Sequence, residues 1–201
     1  PHGAELLKRL RRLYVDRDQD LVLASMQVPS PALAQFAAEH QEGYCPDPDL
    51  GQRLQFWDAH LRERSAIRDD SIPVAYLSEM DQGLYGGLLG GDVRFLCDPA
   101  TGWISSMVPP VLADWDGFGQ LAFRGEHAWF QRYLHQLELF SAAAQGRFGI
   151  SHFILISGLN FVFELVGATQ TYLDLIDRPD MVRRAMELGF EVNVNVQRAF
   201  S

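Results

Sequence analysis

RFGISHFILISGLNFVFELVG, residues 147–167, runs on through YLDLIDRP, residues 172–179, into a long amphipathic stretch that reaches Phe200. Ile150 to Ile156 is apolar at nearly every position, the pattern of a parallel strand buried on both faces. Phe161 onward reads as a helix closed by Gly167. A short acidic helix follows, and Pro179 opens the last one. Along that last helix Met181, Val182, Met186, Phe190, Val194 and Ala199 fall near one broad face. Strand, closed helix, short helix and long helix in this order make a β/α repeat of an enzyme-type sheet or barrel.

Working outward, Glu126 to Gly146 carries Phe130, Tyr133, Leu134, Leu137 and Phe140 at helical spacing. Asp92–Leu96 and Trp103–Val108 read as extended pieces joined by the turn residues Pro99 to Gly102, a β-hairpin. Ile72–Leu77 is a short apolar run, a second buried strand. It leads into Ser78-Glu79-Met80-Asp81-Gln82-Gly83 and then the glycine-dense residues 84–91, expected as turns. Before Ser71 the texture is helical. Leu6, Leu7, Leu10, Leu13 and Tyr14 share one face, Pro31 to Glu42 reads as a helix capped at Gly43, and Asp47-Pro48-Asp49 starts another. The reading is an α/β chain: a helical N-terminal extension over residues 1–70, then alternating strands and helices over 71–201. Two confident parallel strands are too few to close an eight-stranded barrel, which takes around 250 residues.

Composition narrows the partners. The formal net charge is −9, so no broad basic face for nucleic acid is expected. No apolar run reaches the roughly 18–20 residues that span a bilayer, and the charged opening residues lack a signal-peptide core. Cys45 and Cys97 are far apart and form no Cys-x-x-Cys, which points to reduced thiols in a cytoplasmic protein.

Phe161-Val-Phe-Glu-Leu-Val-Gly167, Leu173-Asp-Leu-Ile-Asp-Arg-Pro-Asp180, the run from Ile72 to Val93, and Trp103, Pro109-Pro110 and Asp114-Trp115-Asp116 stand in an order that resembles the uroporphyrinogen decarboxylase superfamily. That superfamily contains tetrapyrrole decarboxylases and corrinoid-linked methyltransferases. The resemblance covers about residues 71–200. It implies a (β/α)8 TIM barrel of which this chain carries the N-terminal part, with the zinc-ligating His and Cys of the methyltransferase branch lying beyond Ser201. By the same resemblance a corrinoid would be the methyl donor and a zinc-activated thiolate the acceptor, and no metal ligand is assigned here.

Two departures qualify it. The decarboxylases hold substrate carboxylates with arginines after the first strand, since a polycarboxylate in a low-dielectric cleft needs paired cations. Here that loop is acidic and has no Arg. Where the decarboxylases carry a Tyr four residues before the closing glycine, this chain has Phe163. Both favour the methyltransferase-type reading over tetrapyrrole decarboxylation.

Asp81 and Glu79 follow a strand's C-terminal end, where barrel active sites lie, and are the catalytic candidates. A solvated or capping carboxylate is the alternative. Gly86 or Gly87 would let a substrate approach the backbone, or serve packing and turns, since the glycine order is neither a dinucleotide fingerprint nor a P-loop. Asn160 either hydrogen-bonds a substrate or caps the helix beginning at Phe161. His152 is expected in the core, and no His spacing suits a metal. A non-catalytic reading also stands. An open partial barrel exposes strand edges and apolar surface, which favours a homodimer, with the Pro179–Phe200 helix as an interface element.

Overall fold

A computed structural model describes residues 2–152, 155–156 and 158–201. The N-terminal extension holds helices α1 (His2–Tyr14), α2 (Pro31–Glu39) and α3 (Leu50–Arg64). Local chemistry sets their starts. The Ser30 hydroxyl accepts the Leu33 N–H with Pro31 at the first helical position, and the Asp49 carboxylate accepts the Gln52 N–H. α2 stops at His40, short of the expected cap at Gly43. Gly43 instead opens a strand, with φ 108°.

That strand, β1 (Gly43–Cys45), makes the extension more than helical. It pairs antiparallel with β3 (Arg94–Asp98), which pairs in turn with β4 (Trp103–Met107), giving a sheet of order β1-β3-β4. The expected hairpin is therefore present but carries a third strand from upstream.

β2 (Val74–Tyr76) and β5 (Gly149–Ser151) pair in parallel, with Ala75 opposite Ile150. The strand expected over Ile150–Ile156 is regular only to Ser151. Phe153, Ile154 and Ser157 lie outside the described residues. The architecture is mixed helix and sheet, and no barrel closes among the described residues. Between the parallel strands lie α4 (Gln82–Leu88), the hairpin and α5 (Ala128–Ala144). After them come α6 (Leu159–Val166), α7 (Ala168–Asp177) and α8 (Pro179–Phe200).

The glycine-dense segment expected as turns is mostly the helix α4. Glycine disfavours helix by about 1 kcal/mol each relative to alanine. Packing reverses that preference here, because α4 runs through the core with no room for side chains on two of its sides. A Cβ on Gly86 would overlap Val108, and one on Gly87 would lie 2.7 Å from Val93 and 3.1 Å from Trp129. Gly90, with φ 90°, follows the helix end.

Leu77, Leu84, Tyr85, Phe140, Phe161 and Leu165 form the inaccessible centre of the core. Each such side chain is worth about 1.5–3 kcal/mol of burial. Polar groups inside it are mostly bonded. The Tyr85 hydroxyl donates to Asn193 Oδ1 at 2.8 Å, and Asn193 Nδ2 donates to the carbonyls of Gly189 and Ile156. The Tyr133 hydroxyl reaches the Val196 carbonyl at 3.3 Å and meets His152. His152 is only partly buried, edge-on to Phe200.

The buried stripe of α8 is Val182, Ala185, Gly189, Val192, Asn193 and Val196. Of the residues expected on one broad face, only Val182 belongs to it; Met186 and Phe190 are exposed. The small residues win that face because α6 lies close: a Cβ on Gly189 would be 2.7 Å from the Phe161 ring.

Candidate functional site

The loop after β2 carries two carboxylates two residues apart. Leu77, Ser78, Glu79 and Met80 are all inaccessible, the last three forming one 3-10 turn. Glu79 points into the protein. One of its oxygens is ion-paired to Arg53 Nε, and the other accepts Gln136 Nε2 at 2.9 Å. Arg53 also donates to the Gly102 carbonyl at 2.9 Å, and its guanidinium lies 5.3 and 5.0 Å from the Phe36 and Phe56 ring centres. Glu79 thus ties α3, the hairpin turn and α5 together. Both its oxygens are engaged by protein partners.

Asp81 is only half-buried. It sits between the 3-10 turn and α4, with φ −59° and ψ −130°, and its side chain caps neither. Its Oδ1 is buried without a hydrogen-bond partner, and burial pushes the carboxyl up from its ordinary value. The group that responds to it is Glu164, on α6. Burial first, and the Asp81 charge second, push the Glu164 carboxyl up to about 7. α6 is held at this height by two backbone bonds: the Val111 and Leu112 N–H groups donate to the Glu164 and Leu165 carbonyls at 3.0 and 2.8 Å. Burial, reinforced by the Asp81 charge, lets Glu164 keep its proton toward neutrality. The Ser78 and Ser106 hydroxyls, from the 3-10 turn and from β4, are also buried without partners. Ser106 packs directly on Gly83, two residues past Asp81.

Glu164 was not among the residues singled out by the sequence. The signal was there: it is the lone Asp, Glu, Lys or Arg between Phe148 and Gly167. An ionisable side chain inside an otherwise apolar helix has to be paired, exposed or shifted.

The other candidates lie elsewhere. Gly86 and Gly87 are buried inside α4, packed against Val108, Val93 and Trp129. Asn160 is exposed within the first turn of α6, whose N-cap is Gly158 with φ 57°, so it does not cap the helix. Phe163 is half-buried, its ring 5.5 Å from Tyr172.

Among the described residues two large clefts are lined by neither Asp81 nor Glu164. One, of about 800 Å³, lies between α2 and α3 and includes Phe36, His40, Cys45, Arg53 and Phe56. The other, of about 890 Å³, lies between α1, the end of α3 and residues 146–148. Burial raises the Cys45 thiol, so it is not an activated nucleophile. Among the described residues no three His, Cys, Asp or Glu side chains converge as a metal site would require. No helix of the described residues is long and apolar enough to cross a membrane. No family model, curated protein or solved structure matches the chain.

Proposed function

We propose that this chain is a uroporphyrinogen decarboxylase-like protein of the methyltransferase-type branch, in which Asp81 and Glu164 form the proton-exchanging site. Three things support the reading. The motif order over residues 71–200 resembles that of the superfamily. β2 and β5 pair in parallel. Asp81 follows the C-terminal end of β2, the end at which barrel enzymes build their sites, and Glu164 lies on the helix after β5.

The observation that carries it is the Glu164 carboxyl, pushed up to about 7 beside Asp81. An acid poised there exchanges a proton at working pH with the least loss of driving force. With its carboxyl pushed up to about 7, Glu164 exchanges between acid and carboxylate around neutrality. The protonated acid donates a hydrogen bond, while the ionised one accepts an N–H or balances a cation. A polycarboxylate is repelled, because the Leu77–Gln82 loop offers no cation. That disfavours tetrapyrrole decarboxylation and leaves the methyltransferase-type branch, with a corrinoid-carried methyl group as substrate.

Among the described residues no cluster of ligands fits zinc, so no step is assigned to a zinc or to a corrinoid. Decarboxylation is the second reading. It is favoured by Asp81 alone, whose unpartnered oxygen would steady a protonated pyrrole.

Carboxyl ¹³C NMR titration tests the site, with a Glu164 midpoint near 7 expected. A midpoint near 4.5 would remove the acid–base role. Absorbance titrations with cobalamin and with a coproporphyrin then separate the branches. A cobalamin response weakened by Asp81→Asn supports methyl transfer, and a response to the porphyrin alone moves the assignment to decarboxylation.

A further inference from the structure

We propose that the cleft between α2 and α3 binds a small α-amino acid with an aromatic side chain, its carboxylate on Arg53 and its ammonium among the carboxylates of the rim. This site is separate from Asp81 and Glu164 and does not depend on their reading.

The cleft is of ligand size. Its volume of about 800 Å³ lies within the usual range for small-molecule sites, which are walled by aromatic and apolar groups with a few placed polar ones. Phe36 and Phe56 both line it, with ring centres 5.0 Å apart. Each is steadied by a further ring: His40 stacks on Phe36 at 3.9 Å, and His60 lies parallel to Phe56 at 5.7 Å. Phe56 also presses on Gly102 in the hairpin turn, where a Cβ would lie 2.2 Å from the ring. A wall already fixed in this way receives a flat side chain with little further ordering.

Arg53 supplies the anchor. It lines the cleft, yet its side chain is only 3% exposed. Nε is ion-paired to Glu79, and Nη2 donates to the Gly102 carbonyl. Nη1 is buried and has no hydrogen-bond partner. Native interiors rarely leave a buried donor without an acceptor, least of all on a cation. The guanidinium carbon lies 5.3 and 5.0 Å from the Phe36 and Phe56 ring centres, so the open corner sits at the aromatic wall. A carboxylate that follows the rings inward would accept from it. Because Glu79 and Gly102 hold the rest of the guanidinium, the donor is oriented before the ligand arrives.

Charge then narrows the ligand. Glu79 already balances Arg53. Among the described residues the lining carboxylates of Glu39, Asp49 and Glu63 have no ion-pair partner, whereas Asp47 is paired to Arg132 at 2.6 Å. Glu63 accepts the Ala32 N–H with both oxygens, and Asp49 accepts the Gln52 N–H, so these two charges are held in place. Such a rim opposes a simple carboxylate anion. A molecule that carries an ammonium beside its carboxylate suits both the rim and the anchor.

L-Phenylalanine, phenethylamine and phenylacetate separate the parts, since they share a ring and differ in charge. Isothermal titration calorimetry on the 201-residue chain should give phenylalanine a dissociation constant below about 1 mM. Phenethylamine lacks the acceptor and phenylacetate the ammonium, and each should bind at least about fivefold more weakly. Glu39→Gln with Asp49→Asn, which keeps the helix cap, should weaken phenylalanine about three- to tenfold and leave phenylacetate no weaker. Arg53→Lys keeps a cation for Glu79 but removes the open corner, and should bring phenylalanine to the level of phenethylamine. The comparison of the three ligands on the wild-type chain decides the matter even where that variant fails to fold. Cys45, half-buried in the same cleft, locates the site: saturating phenylalanine should slow its alkylation by iodoacetamide. Absence of saturable phenylalanine binding up to about 10 mM overturns the inference. So does phenylacetate or phenethylamine binding as tightly as phenylalanine, or an alkylation rate at Cys45 that phenylalanine leaves unchanged.

Discussion

Glu79 and Asp81 are two residues apart on one loop, yet one is a rivet and the other a reactive group in waiting. Glu79 is inaccessible and bonded on both oxygens, to Arg53 and Gln136. Asp81 is half-buried, keeps an oxygen without a partner, and acts through space on Glu164. A buried carboxylate with a matched cation stabilises by what its loss would cost. One without a cation shifts its protonation instead, and becomes available for proton transfer. Residue type and position along the loop do not separate the two; their partners do.

Glu79→Gln would test the rivet most severely. It leaves the Arg53 guanidinium buried and uncompensated, and a loss of about 3–5 kcal/mol in urea unfolding at pH 7 is expected. A loss below about 1 kcal/mol would mean that Glu79 is not structural, and the contrast with Asp81 would collapse.

Gly86→Ala probes whether the glycines beside that loop pack or bind. The methyl has to displace Val108, so a net loss of about 1–3 kcal/mol is expected despite alanine's better helix propensity. Unchanged stability joined to weaker ligand binding would return Gly86 to the substrate-contact role.

Glu164→Gln acts with the opposite sign. Below pH 4.5 the wild-type glutamate is protonated in both folded and unfolded chains and adds no pH dependence. Between 4.5 and about 7 the unfolded chain ionises first, so folded stability falls as pH rises, and above about 7 the whole penalty is present. The amide escapes it. At pH 8 the variant should be about 1–2 kcal/mol more stable than wild type, a figure reduced for partial exposure, with a flatter pH profile by thermal melting. Asp81→Asn should lower the Glu164 midpoint. A midpoint that stays in place would show that burial alone raises it and that the two carboxylates are not a pair.

Asn160→Ala should change stability by less than about 0.5 kcal/mol and leave ligand titrations untouched, since the side chain is exposed and bonds nothing.

The outline was legible where the causes were local. Ser30 with Pro31, Asp49, Gly167 and Pro179 mark helix ends because a cap or a fixed φ works within one turn. The hairpin and the parallel strand pair also followed from runs and turns. Where distant parts of the chain meet, the reading went astray. The glycines around α4 look like turn residues until Val108, Val93 and Trp129 take the space their side chains would have filled. Gly43, read as a helix cap, joins β3 across fifty residues of chain. Glu164 passed unnoticed because what raises its carboxyl is a tertiary neighbour on a different element.

The sequence by itself determined the main helix starts, the hairpin, the parallel strand pair, the acidic character of the loop after β2, and the lone ionisable residue of α6. Periodicity and capping are short-range, and a chain carries them wherever it is placed. Only the tertiary structure decided that Glu79 would be neutralised by Arg53 while Asp81 would face Glu164, and that α7 would turn Ile176 outward to keep Asp174 bonded within. Those outcomes rest on desolvation and pairing between segments far apart in sequence, and a charge is assigned its role only when its neighbours arrive.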